Sequence, residues 1–381
     1  MSSPTRIAHI TCRPLDIPLH KPFGIAGGAQ VIAHNLLVTV ELADGSLGYG
    51  EAAPFPAFNG ETQASTEEAI AAATPSLLGE DARCFRALAA ALCATWPKAG
   101  AARCALETAV LDALCRRAGL SLWAFFGGAE RALVTDVTIP LAGVDEGREE
   151  AARWAREGFS RLKVKIGARS PEEDLARVIA IHEAAPRAGL ILDGNGGLSA
   201  DATLALLEAL RAWAIVPILL EQPVPGHDLR GLGELSRRAG VPVAADESVT
   251  SAAEALHLAR EGLCQVVNIK LMKCGVVEAL AIASVAKATG LGLMIGGMVE
   301  ARLAMGMSAC LAAGLGGFSF IDLDTPLFLA EDPFEGGYVQ EGETLRVDGI
   351  AAGHGLVPAP RAPSGRGARE GLDPGSSPLG C

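Results

Sequence analysis

From about Val134 onward the chain alternates short apolar runs with longer segments of helical spacing, at intervals of roughly 25 residues, the length of one strand–loop–helix–loop unit. The runs read VTDVTIP, LKVKIG, LILDGN, ILLEQP, VPVAADES, VVNIKLM, LMIGGMV and FSFIDLD. Near-continuous apolar strands separated by helices predict a parallel sheet covered on its outer face. Eight such units with no spare strand predict a closed (β/α) barrel. An open doubly wound sheet is the rival, but no G-x-G-x-x-G follows an early strand.

The first third reads differently, as α+β. Alternating stretches at Ile7–Ile17 and Asn35–Glu41 predict strands, and Ala43–Ser46 (ADGS) predicts a turn. Ala-rich segments at Glu61–Leu78 and Ala101–Ala118 predict helices, with Gly/Pro-rich loops at His20–Gln30 and Ala52–Glu61. Beyond the eighth run, Gly336–Gly349 (GGYVQEGETLRVDG) predicts a hairpin that returns to the first region. Val357 to Cys381 is rich in Pro, Gly and Ser and predicts a disordered tail.

Polar residues gather at the ends of the runs. Lys163 and Lys165 close the second, Asp193 the third, Glu221 the fourth, Asp246 the fifth, Lys270 the sixth, and Asp322 and Asp324 the eighth. In a β/α barrel those ends form one rim, where active sites lie. Asp193, Glu221 and Asp246 come from three consecutive strands and would repel one another unless a cation joined them. All-oxygen ligation favours Mg²⁺. The plainer reading has each carboxylate capping the helix that follows.

Lys165 and Lys270 stand on the second and sixth strands, opposite in a ring of eight, so a substrate between them can lose a proton to one and regain it from the other. Lys163 points to the same side of its strand as Lys165, and its charge should lower the Lys165 pKa. A proton beside a carboxylate is hardly acidic, and Mg²⁺ on that carboxylate would stabilise the enediolate. Lys273 reads as an ordinary helix or loop lysine.

Composition narrows the picture further. Half of the 381 residues are hydrophobic and 20% are charged, which suits a filled globular core. A net charge of −12 offers no basic patch, so no nucleic-acid partner is expected. The nine cysteines form no C-x-x-C pair and sit mainly in helical stretches, as small buried hydrophobes in a reducing cytosol do. Met1–Arg6 shows no signal-peptide pattern, and no apolar run is long enough to span a bilayer. A cytoplasmic protein with no membrane partner is the expectation.

These residues resemble the enolase superfamily, muconate-lactonising subgroup, over about Arg6 to Gly355. The matching motifs are KVK (Lys163–Lys165), DGN (Asp193–Asn195), EQP (Glu221–Pro223), ADES (Ala245–Ser248) and NIKLMKCG (Asn268–Gly275). The resemblance implies an α/β fold: a modified (β/α)7β TIM barrel at residues 128–326 under an α+β capping domain at 1–127, with a C-terminal return at 327–356. It also implies that Lys165 and Lys270 are the acid/base pair and that Asp193, Glu221 and Asp246 hold Mg²⁺. Because such scaffolds often assemble, a homo-oligomer is expected by analogy.

Within the subgroup, IDLDTP (Ile321–Pro326) is similar to dipeptide epimerases, among them those acting on L-Ala-D/L-Glu. The resemblance gives Asp322 and Asp324 the substrate's α-ammonium, which two carboxylates hold by charge-assisted hydrogen bonds. Pairing with a rim lysine or arginine is the alternative. Thr138, Lys163, Gly297, Met298 and Val299 match positions that contact the dipeptide. The implied reaction is 1,1-proton transfer at the α-carbon of the C-terminal residue. Enzymes acting on Ala-Glu commonly carry an arginine where this chain has Gly24. Phe55 and Phe58 sit in the next loop, so neutral or hydrophobic dipeptides are the expected substrates, although Lys21 is a possible cation nearby.

Two kinds of rival stand beside this reading. One is o-succinylbenzoate synthase, N-acylamino-acid racemase or muconate cycloisomerase chemistry on the same scaffold, which has no use for an ammonium site. The other is a non-catalytic small-molecule binder, which has no use for two opposed bases.

Overall fold

The computed structural model describes residues 3–25 and 28–360. Ile7–Ile25 and Gly28–Leu42 form a long antiparallel hairpin, and Leu47–Ala52 adds a third strand. The strands reach further into the first Gly/Pro-rich loop than the sequence pattern indicates. The ADGS turn lies between the second and third strands, where Gly45 takes φ 87° and the Leu42 N–H donates to the Ser46 carbonyl at 2.9 Å.

Helix Gly100–Ala118 packs across this sheet. The approach is so close that a Cβ on Gly50 would lie 2.0 Å from the Ala105 carbonyl oxygen. Glycine there permits backbone-to-backbone packing that no other residue would. Helix Gln63–Leu77 begins with a capping box between Thr62 and Ser65, which satisfies two end donors. A further helix, Phe85–Thr95, goes beyond the sequence reading.

The eight apolar runs each become a strand: Val137–Ile139, Arg161–Lys165, Gly189–Asp193, Leu219–Glu221, Val243–Ala245, Val266–Lys270, Gly292–Gly296 and Phe318–Ile321. They are referred to below as the first to eighth barrel strands. Neighbours pair in parallel, in chain order. The ring closes where the Asp136 N–H donates to the Ile321 carbonyl at 2.8 Å. A helix follows each strand except the eighth, which runs into the short turn Thr325–Phe328. That is the (β/α)7β arrangement. Ile191, Leu219, Ala244, Val266 and Met294 plug the barrel from below as an apolar layer. Polar side chains are therefore pushed to the layer above.

The C-terminal return has two parts. Val339–Glu341 and Thr344–Arg346 form the expected hairpin, but its partner is Ala132–Val134, beside the barrel. Contact with the N-terminal helix comes later, where the His354 N–H donates to Asp112 at 2.9 Å. Leu356–Pro358 pairs with Phe334–Gly336, so the first residues of the expected tail are a strand. Residues 361–381, the remainder of that expectation, lie outside the described residues.

Candidate active site

Lys165 and Asp193 are register partners on the second and third barrel strands, and Asp193 is the partner of Glu221 on the fourth. Every second residue of a strand faces inward, so Lys163 and Lys165 both enter the barrel. Thr138, Lys163, Lys165, Lys270, Gly297, Met298, Asp322 and Asp324 line one cleft, together with Asn195, Thr325, Phe55 and Phe58. Residues spread along most of the chain thus meet at one rim.

Beneath the cleft, Asp193, Glu221 and Asp246 are fully buried. Each faces a lysine. Lys165 donates to Asp193 at 2.6 Å and to Asn195 at 2.9 Å. The Lys163 ammonium lies 2.7 Å from Asp322, 2.9 Å from Glu221 and 3.0 Å from Asp193. Its charge is therefore shared among three carboxylates. Asp322 has a lysine partner, as the alternative sequence reading allowed, and it still faces the cleft.

Lys270 lies 2.8 Å from Asp246, with its ammonium 5.1 Å from the centre of the Phe58 ring. Burial alone would lower the Lys270 pKa, yet Asp246 leads the charges that raise it. Burial works to raise the Asp193 pKa, but Lys163, Lys165 and Lys270 hold it below the usual carboxylate range. Asp246 sits at about 2, with burial outweighed by Lys270 and Lys273. Glu221 goes the other way, raised by burial and then by the Asp193 charge.

Lys273 needs correction. It is a buried residue whose ammonium donates to the Asp246 side chain and carbonyl at 2.7 Å and to the Asn268 carbonyl at 2.8 Å. Its four-residue helix, Leu271–Cys274, folds back from the sixth strand and aims the side chain inward. Lys21 is also displaced from its expected role. Its ammonium pairs with Glu150 at 2.7 Å and lines a different cavity.

Several residues without an assigned role in the sequence reading hold the site in shape. Asn268 donates to Glu221 at 2.8 Å. Gln222 accepts from the Asp246 N–H at 2.8 Å and the Ser248 N–H at 3.2 Å. Gln222 and Asn195 take φ 31° and 41°, a region that non-glycine residues rarely enter and that clusters at functional sites. Gln222 directly follows Glu221 and Asn195 comes two residues after Asp193, both within quoted motifs, and that was the available signal. Gly194 lets the DGN turn pass the EQP turn, since a Cβ there would lie 2.6 Å from the Pro223 Cα.

Val299 does not line the cleft; its carbonyl accepts from Asn35 at 3.0 Å. Glu51 accepts from the Ala301 and Ala304 N–H groups at 2.8 and 3.0 Å. Two N-terminal-region side chains thereby fix the loop that carries Gly297 and Met298.

The third carboxylate neighbour of Asp322 and Asp324 is Asp136. Among the described residues, these are the three whose ligand oxygens gather within 4.8 Å of one another. Asp193, Glu221 and Asp246 are not drawn together in that way, since lysines engage them. Their chemistry still fits a hard divalent cation. Glu221 Oε2 and Asp246 Oδ2 are buried and receive no hydrogen bond, although Lys163 and Lys270 come within 2.9 and 2.8 Å. Buried carboxylate oxygens faced only by an ammonium, with no neutral donor, suit oxygen ligation of Mg²⁺.

Comparison with known proteins agrees with this architecture. Residues 7–127 match the mandelate racemase/muconate lactonizing enzyme N-terminal domain, and residues 146–362 match the enolase C-terminal domain-like family. An aromatic dipeptide epimerase of Herpetosiphon aurantiacus is 51% identical over 353 residues, covering 93% of this chain and 99% of the relative. A mandelate racemase/muconate lactonizing enzyme from Roseiflexus sp. superposes with a TM-score of 0.90 at 54% identity, covering 95% of this chain and all of that one. A dipeptide epimerase from Enterococcus faecalis V583, solved with Mg and the dipeptide L-Leu-L-Tyr, gives 0.88 at 33% identity over 92% and 99% of the two chains. This chain belongs to the mandelate racemase/muconate lactonizing enzyme family of the enolase superfamily. Among the described residues, no helix is long and apolar enough to cross a membrane.

Proposed function

We propose that the protein is a Mg²⁺-dependent dipeptide epimerase that inverts the α-carbon of the C-terminal residue and prefers neutral or hydrophobic dipeptides. The observation that carries the reading is the meeting, in one cleft, of two strand-end lysines with a pair of aspartates on the eighth strand. Lys165 and Lys270, from the second and sixth strands, are the proton-transfer pair, one on each face of the stereocentre. Asp193, Glu221 and Asp246 hold the metal, which when bound stabilises the charge that develops on the substrate carboxylate. Residues 128–326 are the catalytic barrel and residues 1–127 its cap, with the return at 327–356 touching both, through Ala132–Val134 and Asp112.

Asp322 and Asp324 receive the α-ammonium, and Thr138, Lys163, Gly297, Met298 and Val299 shape the contact. Val299 acts through its carbonyl bond to Asn35. Asn195 steadies Lys165. Phe55 and Phe58 present aromatic surface on the cap side of the cleft and offer no cation for an acidic side chain. The relatives that act on aromatic dipeptides, or bind L-Leu-L-Tyr, support this preference.

The test is a dipeptide library in deuterated water with Mg²⁺, read by mass spectrometry. Aromatic and aliphatic dipeptides should take up one deuteron, and acidic ones should lag. Lys165→Ala or Lys270→Ala should lower epimerisation by about 10²–10⁴-fold, each retaining exchange with a single stereoisomer. Full activity in either variant, or no exchange with any dipeptide, defeats the proposal.

A further inference from the structure

Asp136 precedes the first barrel strand and is completely buried, yet neither of its carboxylate oxygens receives a hydrogen bond. An ionisable group in that position is costly unless something answers it. Asp324 Oδ1 is likewise buried without a donor, while Asp324 Oδ2 is engaged by the Thr138 N–H at 2.5 Å. The Lys163 charge favours the ionised form of both from a distance but forms no ion pair with either. An ammonium has three N–H donors, and Lys163 already faces Asp193, Glu221 and Asp322. With all three carboxylates ionised, the trio would carry more negative charge than Lys163 offsets.

The three carboxylates are close enough to share one small cation. Three acceptors around one primary ammonium, each about 2.8 Å from the nitrogen in tetrahedral directions, lie about 4.6 Å from one another. The ligand oxygens of Asp136, Asp322 and Asp324 lie within 4.8 Å of one another.

We propose that Asp136 is the third carboxylate of a cation subsite that takes a single primary ammonium group between the first and eighth strands. The inference rests on the reading above that the substrate carries a free amino group. Asp322 and Asp324 line the cleft and Asp136 does not, so Asp136 forms the floor of the subsite. Its chemical consequence is selection. A free amino terminus neutralises the buried charge, whereas an N-acylated terminus brings no charge and leaves the trio unanswered. Burial and then Asp322 and Asp324 push the Asp136 carboxyl well up, in keeping with a group that lacks a counter-ion.

The experiment compares Asp136→Asn, Asp324→Asn and the wild type in the Mg²⁺-loaded full chain, with L-Leu-L-Tyr and N-acetyl-L-Leu-L-Tyr as probes. Calorimetric Kd and steady-state kinetics are both read. Asp136→Asn should raise KM and Kd for the free dipeptide about 10- to 100-fold, the range for one charge-assisted hydrogen bond. The kcat should change less than the KM, and the N-acetyl probe should bind the variant as well as it binds wild type, or better. An unchanged KM, or equal weakening of both probes, overturns the inference. If Asp324→Asn alone weakens the free dipeptide, Asp136 is excluded and the epimerase reading stands. If the wild type binds only the N-acetyl probe, both fail. A Mn²⁺ titration that finds two ions in wild type and one in Asp136→Asn identifies the trio as a metal site and overturns the ammonium assignment.

Discussion

Two groups of buried carboxylates share the mouth of this barrel, and their surroundings are opposite. Asp193, Glu221 and Asp246, on the third to fifth strands, are faced by Lys163, Lys165, Lys270 and Lys273 at 2.6–3.0 Å. Asp136 and Asp324, at the seam between the first and eighth strands, have no lysine of their own, and Asp322 has only the shared Lys163. Low dielectric makes both arrangements consequential. Lysines hold Asp193 and Asp246 in the ionised form, whereas burial pushes Asp136 and Asp324 toward the neutral acid. The protein balances one group from within and leaves the other to be balanced by what it binds.

The largest test of this contrast is stability. Asp246→Asn would leave the buried Lys270 and Lys273 without their carboxylate and should cost about 3–5 kcal/mol in urea unfolding. Asp136→Asn replaces a buried carboxyl that receives no hydrogen bond and should be neutral or stabilising in the absence of substrate. Equal destabilisation by the two variants would erase the distinction.

A smaller effect lies in the pH dependence of unfolding. Asp324 is raised to about 7, by burial first and then by Asp322. Its folded pKa exceeds the unfolded value of about 4, so its stabilising share is complete below that value and is lost as pH rises through about 7. Asp246, at about 2, acts in reverse, and its share is lost as pH falls from about 4 through about 2. Urea midpoints of metal-free protein should therefore fall between pH 4 and 8, less steeply in Asp324→Asn. Glu51, Glu107, Glu247 and Glu300, raised to about 7, 7, 8 and 8 chiefly by burial, add to that slope.

The smallest expected effect concerns the cap's hold on the paired group. The Lys270 ammonium lies over the Phe58 ring, a contact worth about 0.5–2 kcal/mol. Phe58→Leu should lower kcat/KM by about 2- to 30-fold, without the loss of stability expected of Asp246→Asn. An unchanged kcat/KM would mean that the ring contributes only bulk.

Much of this arrangement is legible from spacing. The barrel follows from eight apolar runs because a strand buried on both faces must be apolar nearly throughout. For the same reason Lys163, Lys165, Asp193 and Lys270 stand out, since charges at the ends of such strands are rarely idle. Lys273 is misread because its role depends on a four-residue helix turning back under the sixth strand, which no periodicity announces. Asp136 is passed over inside an apolar run because its significance lies in two aspartates nearly 190 positions away. Lys21 looks like a cation for the cleft until its pairing with Glu150 places it elsewhere.

What the amino-acid order determines alone is local: the strand and helix periods, the turns, and the residue types at each strand end. Those depend on neighbours a few positions apart. Which charges answer which is decided only when the ring closes and brings the first strand beside the eighth. Electrostatic balance in a buried site depends on distances of a few ångströms between residues far apart in the chain, and only the tertiary structure sets them.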